Sequence, residues 1–250
     1  MNKEDELLQK RIKDLANRSY NNNVYTFTDF LSLADASVYY ETERDIRFVK
    51  SSVFGGDEDC ERIMVRFGSE EQLGYEEAFP IQIIHIKPLA AKFSDDLSHR
   101  DILGALMNLG IERTVLGDIR LFGNEAYVFC TTGIADFICE NLTRIKHTSV
   151  LAAVVEDMPQ FIKQDAVEKV IQIQSERIDA VIAKVYNFSR SQCIPLFAQK
   201  KIFVNGRLCE NNSLQLKAGD VITVRGNGRF TFEGVEGVSR KGKLNAKVKI

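Results

Sequence analysis

Between residues 79 and 158 the spacing of apolar residues switches repeatedly between period two and helical period. That succession limits the folds open to this stretch more than any other feature of the chain. Ile81-Gln82-Ile83-Ile84-His85-Ile86 reads as a strand. Ser98 to Leu109 reads as a helix with Ile102, Leu103, Leu106 and Leu109 on one face. Asp101 stands three residues after Ser98 in capping-box spacing, and Gly110 is the stop. Asp118-Ile119-Arg120-Leu121-Phe122 and Ala126-Tyr127-Val128-Phe129 read as two strands joined by a hairpin turn at Gly123-Asn124. Thr131 to Leu142 is a second helix and Thr148 to Val155 a last strand. The predicted order is βαββαβ.

That order is the ferredoxin-like split βαβ, a topology shared by RNA-recognition sheets and by many domains that bind no RNA. The aromatic signature of the RNA-recognition sheets is absent here, so this segment alone says little about a ligand. Before it, residues 1–78 open with a helix marked by Leu8, Ile12 and Leu15, broken at Asn21-Asn22-Asn23. A second helix is expected over Thr26 to Tyr39 with Thr26 or Thr28 as N-cap, then a turn at Phe54-Gly55-Gly56 and a short strand at Met64-Val65-Arg66-Phe67. No chemistry is visible in that region. After the split βαβ, Met158-Pro159 marks a junction, and a short helix is expected over Asp165 to Gln172.

Charge divides the chain sharply. The net charge is −2, but residues 175–250 hold 14 Lys and Arg against 6 Asp and Glu, while the remainder holds 19 against 29. A basic C-terminal part on an acidic body suggests a polyanionic partner. At 44% apolar and 27% charged residues, the 250-residue chain suits two or three small folded domains, and whole-chain disorder is not expected. No window approaches the length of apolar sequence a membrane span needs, so no membrane is expected. The charged stretch Met1 to Lys10 lacks the apolar core of a signal peptide, so a cytoplasmic protein is expected. Cys60, Cys130, Cys139, Cys193 and Cys209 form no CxxC pair, and reduced, partly buried thiols are expected in place of disulfides or a zinc ribbon.

The basic part carries ordered landmarks. Arg177-Ile178-Asp179 starts a helix whose apolar face is Ile178, Val181, Ile182 and Val185. Asn187-Phe188 makes a turn, and Ser189 is placed to cap a second helix from Arg190 to about Gln199. Then follow the strand Ile202-Phe203-Val204, the turn Asn205-Gly206, the turn Ala218-Gly219-Asp220 and the strand Val221-Ile222-Thr223-Val224. This order resembles the S4 domain: R-(L/I)-D, then S-R, then V-N-G, then G-D-x-I. Arg177 and Arg190 both fall at helix starts, where free N–H groups favour an anion and a guanidinium can grip phosphate with paired hydrogen bonds. Ser189, Ser191 and Gln192 add neutral donors, and Lys200, Lys201 and Arg207 extend the basic surface along the strand edge. For Arg177 the alternative is an ion pair with Asp179, and for Arg190 a solvated helix start.

Two residues depart from the S4 pattern. Lys200 stands where that family usually has glycine, and Pro195 lies inside the second helix. Farther on, Arg225-Gly226-Asn227-Gly228-Arg229 places two glycines between two arginines, which suits either an anion-binding backbone nest or a plain hairpin turn. The tail Ser239-Arg240-Lys241-Gly242-Lys243 is basic, and Leu244 to Ile250 alternates like an edge strand whose lysines discourage pairing.

Leu97-Ser98-His99-Arg100-Asp101-Ile102-Leu103-Gly104-Ala105-Leu106, then Leu109-Gly110-Ile111, then Gly117-Asp118-Ile119 is similar to the central signature of the bacterial YlmH-type S4 proteins, with likeness from about residue 20 onward. The resemblance implies an α+β chain in three parts. These are an N-terminal mixed α/β domain (1–78), a ferredoxin-like, RRM-like βαββαβ middle domain (79–160) and a C-terminal S4 (αL-type) RNA-binding domain with a basic tail (175–250). It implies binding to rRNA and tRNA at the large ribosomal subunit, on stalled particles carrying peptidyl-tRNA. It leaves open a cell-division adaptor with cell-division proteins as partners. Arg177 and Arg190 match the S4 contact positions, with Ser189, Ser191, Lys200, Lys201, Arg207, Arg225 and Arg229 as further RNA-binding candidates.

Catalysis is not expected. His99, Arg100 and Asp101 are neighbours on one helix and point in different directions. His85 and His147 supply no metal-ligand spacing, and no phosphate-binding glycine loop occurs. No metal and no cofactor are expected. The enzymes that carry S4 modules would need further signatures in residues 1–174, and none is seen, which leaves an rRNA-modifying enzyme as the least favoured reading.

Overall fold

A computed structural model describes residues 3–57, 59–90, 94–159, 167–239 and 242–250. The chain folds into two compact units, residues 1–164 and 165–250, each with its own sheets and core. The mixed helix and sheet content makes the fold α+β. No described helix is long and apolar enough to cross a membrane.

The first unit begins with helix α1 (Lys3–Asn22), which buries Ile12 and Ala16. The asparagine run ends it as expected, with Asn23 in the left-handed region at φ 52°. The next stretch departs from expectation. Thr26 does not start a helix but pairs in a short strand, β1 (Thr26–Phe27), and helix α2 (Leu33–Thr42) begins later. The threonines are engaged elsewhere. The Thr26 hydroxyl donates to the Leu15 carbonyl at 2.9 Å, and Thr28 Oγ1 accepts the Val65 N–H at 2.9 Å. Ser32 is the cap, with Asp35 completing the capping box. Strands β2 (Ser51–Phe54) and β3 (Met64–Phe67) follow, giving a sheet in the order β1-β3-β2, then a single turn of helix α3 (Glu70–Leu73).

The split βαβ is present in the expected order. It consists of β4 (Ile81–Pro88), α4 (His99–Asn108), β5 (Leu116–Phe122), β6 (Glu125–Thr131), α5 (Thr132–Asn141), a short β7 (Arg144–Ile145) and β8 (Thr148–Val155). The sheet order is β5-β6-β4-β8-β7, with antiparallel pairing between each pair of neighbours. Ile84, Ile86, Val128 and Ala152 face Ile102, Leu106, Ala135 and Ile138 of the two helices in one core. Part of the other sheet face is covered by the N-terminal residues: Phe129 packs with Phe30, Cys60 and Met64. Gly117 permits this approach, because a Cβ there would sit 2.8 Å from both Phe129 and Phe30.

The second unit corrects two expectations at once. The segment read as a helix over Asp165 to Gln172 is instead strand β9 (Glu168–Ile173), its first two residues lying outside the described residues. The segment read as an edge, β14 (Leu244–Lys249), lies inside the sheet because β9 pairs along it. Its lysines form ion pairs: Lys247 lies 2.7 Å from Glu168 and Lys249 3.9 Å from Glu233. Between them in sequence come α6 (Ile178–Val185), α7 (Arg190–Ala198), β10 (Ile202–Val204), β11 (Arg207–Leu208), β12 (Asp220–Val224) and β13 (Gly228–Val238). The sheet order is β11-β10-β12-β13-β14-β9. Ile178, Val181 and Ile182 of α6 join Phe230, Phe232 and Val248 in its core.

The five cysteines are free, and all but Cys139 are buried. Burial pushes the thiols up, to about 11 for Cys60 and Cys193 and to about 12 for Cys130. A thiolate is the reactive form. Alkylation of the folded chain at mildly basic pH should therefore label Cys139 first, with the other four modified only on unfolding, as read by peptide mass spectrometry.

Candidate nucleic-acid interface

The interface is built from the two short helices and one end of the sheet in residues 165–250. Arg177 is the N-cap residue of α6, and Arg190 is the first residue of α7, after the N-cap Ser189. The two helix starts lie against each other, because Cys193 Sγ donates to the Asp179 carbonyl at 3.5 Å, linking the first turns of α7 and α6. Arg177 and Arg190 are thereby carried toward one end of the helix pair.

The two arginines differ in how they are held. Arg177 makes a forked pair with Asp179, Nε to Oδ1 at 3.0 Å and Nη2 to Oδ2 at 2.7 Å. The Asp179 side chain is only 7% exposed and also accepts the Ala180 N–H, so the fork is anchored from below. The ion pair weighed from sequence is thus real. It fixes the guanidinium plane, and at 34% side-chain exposure the group still reaches the surface. Arg190 is exposed and has no hydrogen-bond or ion-pair partner among the described residues. Ser189 is used locally: its N–H and hydroxyl both donate to Gln192 Oε1, and its hydroxyl lies 2.9 Å from that of Ser191. Ser189 and Gln192 therefore shape the helix start.

The second basic group gathers where β10 begins, β12 ends and β13 starts. The Arg225 N–H donates to the Lys201 carbonyl at 2.8 Å, and Arg229 pairs with Thr223 across β12 and β13. Lys200, Lys201, Arg225 and Arg229 therefore share one end of the sheet, and none has an ion-pair partner among the described residues. The backbone nest is not formed. The N–H groups of Arg225 and Asn227 are committed to Lys201 and Val224, so this loop is a hairpin turn whose arginine side chains are the anion-facing groups. Arg207 stands apart, at the other end of β10 beyond the Asn205-Gly206 turn. Of the basic tail, Arg240 and Lys241 lie outside the described residues.

Two landmarks read from the sequence prove to be architectural. Asn205 Nδ2 donates to Asp220 and Asn205 Oδ1 accepts the Val221 N–H, so the V-N-G and G-D turns are tied to each other. Sequence reasoning did not single out Tyr186 and Phe188 for a role. Their stacked rings lie at the α6–α7 turn, with Tyr186 edge-on to Phe230, and a Cβ on Gly228 would sit 3.5 Å from the Tyr186 hydroxyl. They brace the helix turn against the arginine-bearing hairpin. Two rings flanking one asparagine were the available signal.

Lys200 takes the left-handed conformation at φ 54°. The Lys201 N–H bonds the Leu196 carbonyl and the Lys200 N–H that of Phe197, the two bonds of a Schellman motif, which normally uses glycine here. A lysine in this conformation costs about 1 kcal/mol. Lys200→Gly should therefore raise the unfolding free energy of residues 165–250 by about 1 kcal/mol in a denaturant titration. The same change removes a cation from the basic end of the sheet, so polyanion affinity should fall while stability rises.

Comparison with known proteins extends this picture. Residues 75–159 match the family model described as "Putative RNA-binding domain in YlmH". The chain is 29% identical over 190 residues to the ribosome-associated protein quality control protein P2 of Bacillus subtilis, covering 76% of this chain and 73% of that protein. It is 37% identical over 59 residues to small ribosomal subunit protein uS4 of Cupriavidus pinatubonensis, covering 23% of this chain and 28% of that protein. Among solved structures, the cell division protein ylmH from Streptococcus pneumoniae superposes with a TM-score of 0.51 at 19% identity, over 66% of this chain and 97% of that one, a likeness of fold. The middle signature, the four C-terminal landmarks and these matches agree in one likeness: residues 75–159 match the RNA-binding domain model of YlmH, and the chain is similar to the YlmH-type S4 proteins.

Proposed function

We propose that this chain is a cytoplasmic, ribosome-associated RNA-binding factor that works by holding structured RNA and not by catalysis. The observation that carries this reading is the pair of basic groups in residues 165–250. Arg177 and Arg190 stand at two abutting helix starts, and Lys200, Lys201, Arg225 and Arg229 gather at one sheet end, largely without neutralising carboxylates. Such a surface reads backbone shape, which is how folded RNA is mostly recognised. The quality-control name of the Bacillus relative and the RNA-binding description of the family model support the same reading. The finer proposal is that the arginines bridge rRNA of the large subunit and tRNA on stalled particles that carry peptidyl-tRNA. Within the chain, we assign the holding of RNA to residues 175–250, with 1–78 and 79–160 as separate N-terminal and RRM-like domains.

Co-sedimentation of the full chain with purified large ribosomal subunits over a salt series tests this. Binding through about six phosphate contacts should weaken on the order of a thousand-fold between low and physiological salt. Absence of co-sedimentation at low salt would remove the ribosome from the proposal.

A further inference from the structure

We propose that a cavity of about 460 Å³ at the C-terminal end of α1 is a pocket for a single unpaired RNA base. This rests on the RNA-binding reading above but concerns a different part of the chain. The lining includes Ser19, Tyr20, Asn21, Asn23, Val49 and Gln72. It contains no Asp, Glu, Lys, Arg or His, so neither a phosphate nor a cation is its natural occupant. A neutral planar group with hydrogen-bonding edges is.

Among the described residues, four polar side chains at this site make no hydrogen bond. Ser19 is 1% exposed and its hydroxyl is unsatisfied. The usual outlet for a helical serine is the carbonyl four residues back, but Leu15 already accepts the Thr26 hydroxyl. A buried hydroxyl without a partner is costly unless a ligand or water supplies one. The carboxamides of Asn21, Asn23 and Gln72 likewise make no hydrogen bond among the described residues. Carboxamides carry a donor and an acceptor side by side, which matches the edge of a base. The cavity also has a stacking surface: Tyr20 is 55% exposed and lies edge-on to Phe48, itself 40% exposed, with centroids 5.4 Å apart. Unpaired bases in RNA are held in this way, by stacking on an aromatic ring and bonding along one edge. The Asn21-Asn22-Asn23 run therefore does more than end a helix.

Fluorescently labelled ribopentamers A5, C5, G5 and U5 are the probes, titrated with the full chain, Tyr20→Ala, Tyr20→Phe, Gln72→Ala and Arg190→Glu. Tyr20 and Gln72 are exposed, so these variants should fold, and their melting midpoints confirm it. The expected result is that one pentamer binds about ten-fold more tightly than the others. Tyr20→Ala and Gln72→Ala should abolish that preference and Tyr20→Phe retain it. Arg190→Glu, in the other compact unit, should leave the preference in place. Equal binding of all four, or a preference that survives both Tyr20→Ala and Gln72→Ala, overturns the pocket, while loss of ribosome co-sedimentation on Arg190→Glu would keep the RNA reading intact. If no pentamer binds at low salt, the pocket assignment fails, and the RNA reading is decided separately by co-sedimentation with large ribosomal subunits.

Discussion

Arg190→Glu should release the chain from large ribosomal subunits on a sucrose gradient, with affinity falling by about fifty-fold. A charge-assisted hydrogen bond to phosphate is worth about 2 kcal/mol, and reversing the charge adds repulsion to that loss. The fold should not register the change. Arg190 is exposed at the first position of α7 and has no partner among the described residues, while Ser189 and Gln192 cap the helix without it. Equal melting midpoints for variant and parent, with the variant left at the top of the gradient, is the expected pair of results. The slope of log affinity against log salt should also drop by about one. Arg177 cannot serve as cleanly, because its removal strands the buried carboxylate of Asp179 and mixes binding with stability. An Arg190→Glu chain that still travels with the large subunit would move the contact away from the helix starts.

What was legible beforehand was local. Helix α6 carries its own apolar stripe and α7 its own capping box, so the positions of Arg177 and Arg190 at helix starts could be read directly. The Asn205-Gly206 turn was legible for the same reason, since both residues adopt the positive φ that asparagine and glycine tolerate. Strand β9 was not legible. Val167, Val170 and Ile171 fall at helical spacing, yet Val167 and Val170 are exposed and only Ile171 and Ile173 face the core, at period two. Its partner β14 stands at the far end of the chain, so β14 looked like an edge until the register Leu244 to Ile173 was formed. The meeting of Lys201 with Arg225 has the same origin, because it depends on the pairing of β10 with β12. Non-local pairing is the part of a fold that no window of sequence contains.

Arg62→Ala should be the most damaging single change in residues 1–164, and for reasons unrelated to RNA. Its guanidinium donates to the carbonyls of Leu116 at 2.8 Å, Phe30 at 2.9 Å and Arg113 at 3.1 Å. Arg113 in turn holds the Leu116 and Gly117 carbonyls, and the Asp118 carboxylate accepts the N–H groups of Glu61 and Arg62. Burial and the neighbouring Arg113 bring Arg62 down to about 10, still charged at neutral pH. Three carbonyls would lose a donor in a half-buried site, a cost of about 3 kcal/mol. Lysine should not rescue the loss, because it cannot present a planar fork to three acceptors. Hydrogen exchange should show protection lost in β5 and around residues 61–63 while α6, α7 and β10 keep theirs, and a denaturant titration should show lowered stability of residues 1–164 and not of 165–250. If that holds, the Gly117-Asp118 end of the central signature is there to seat the N-terminal residues on the middle sheet. A variant that kept its stability but lost RNA binding would instead make this cluster a contact surface, and the signature a binding motif.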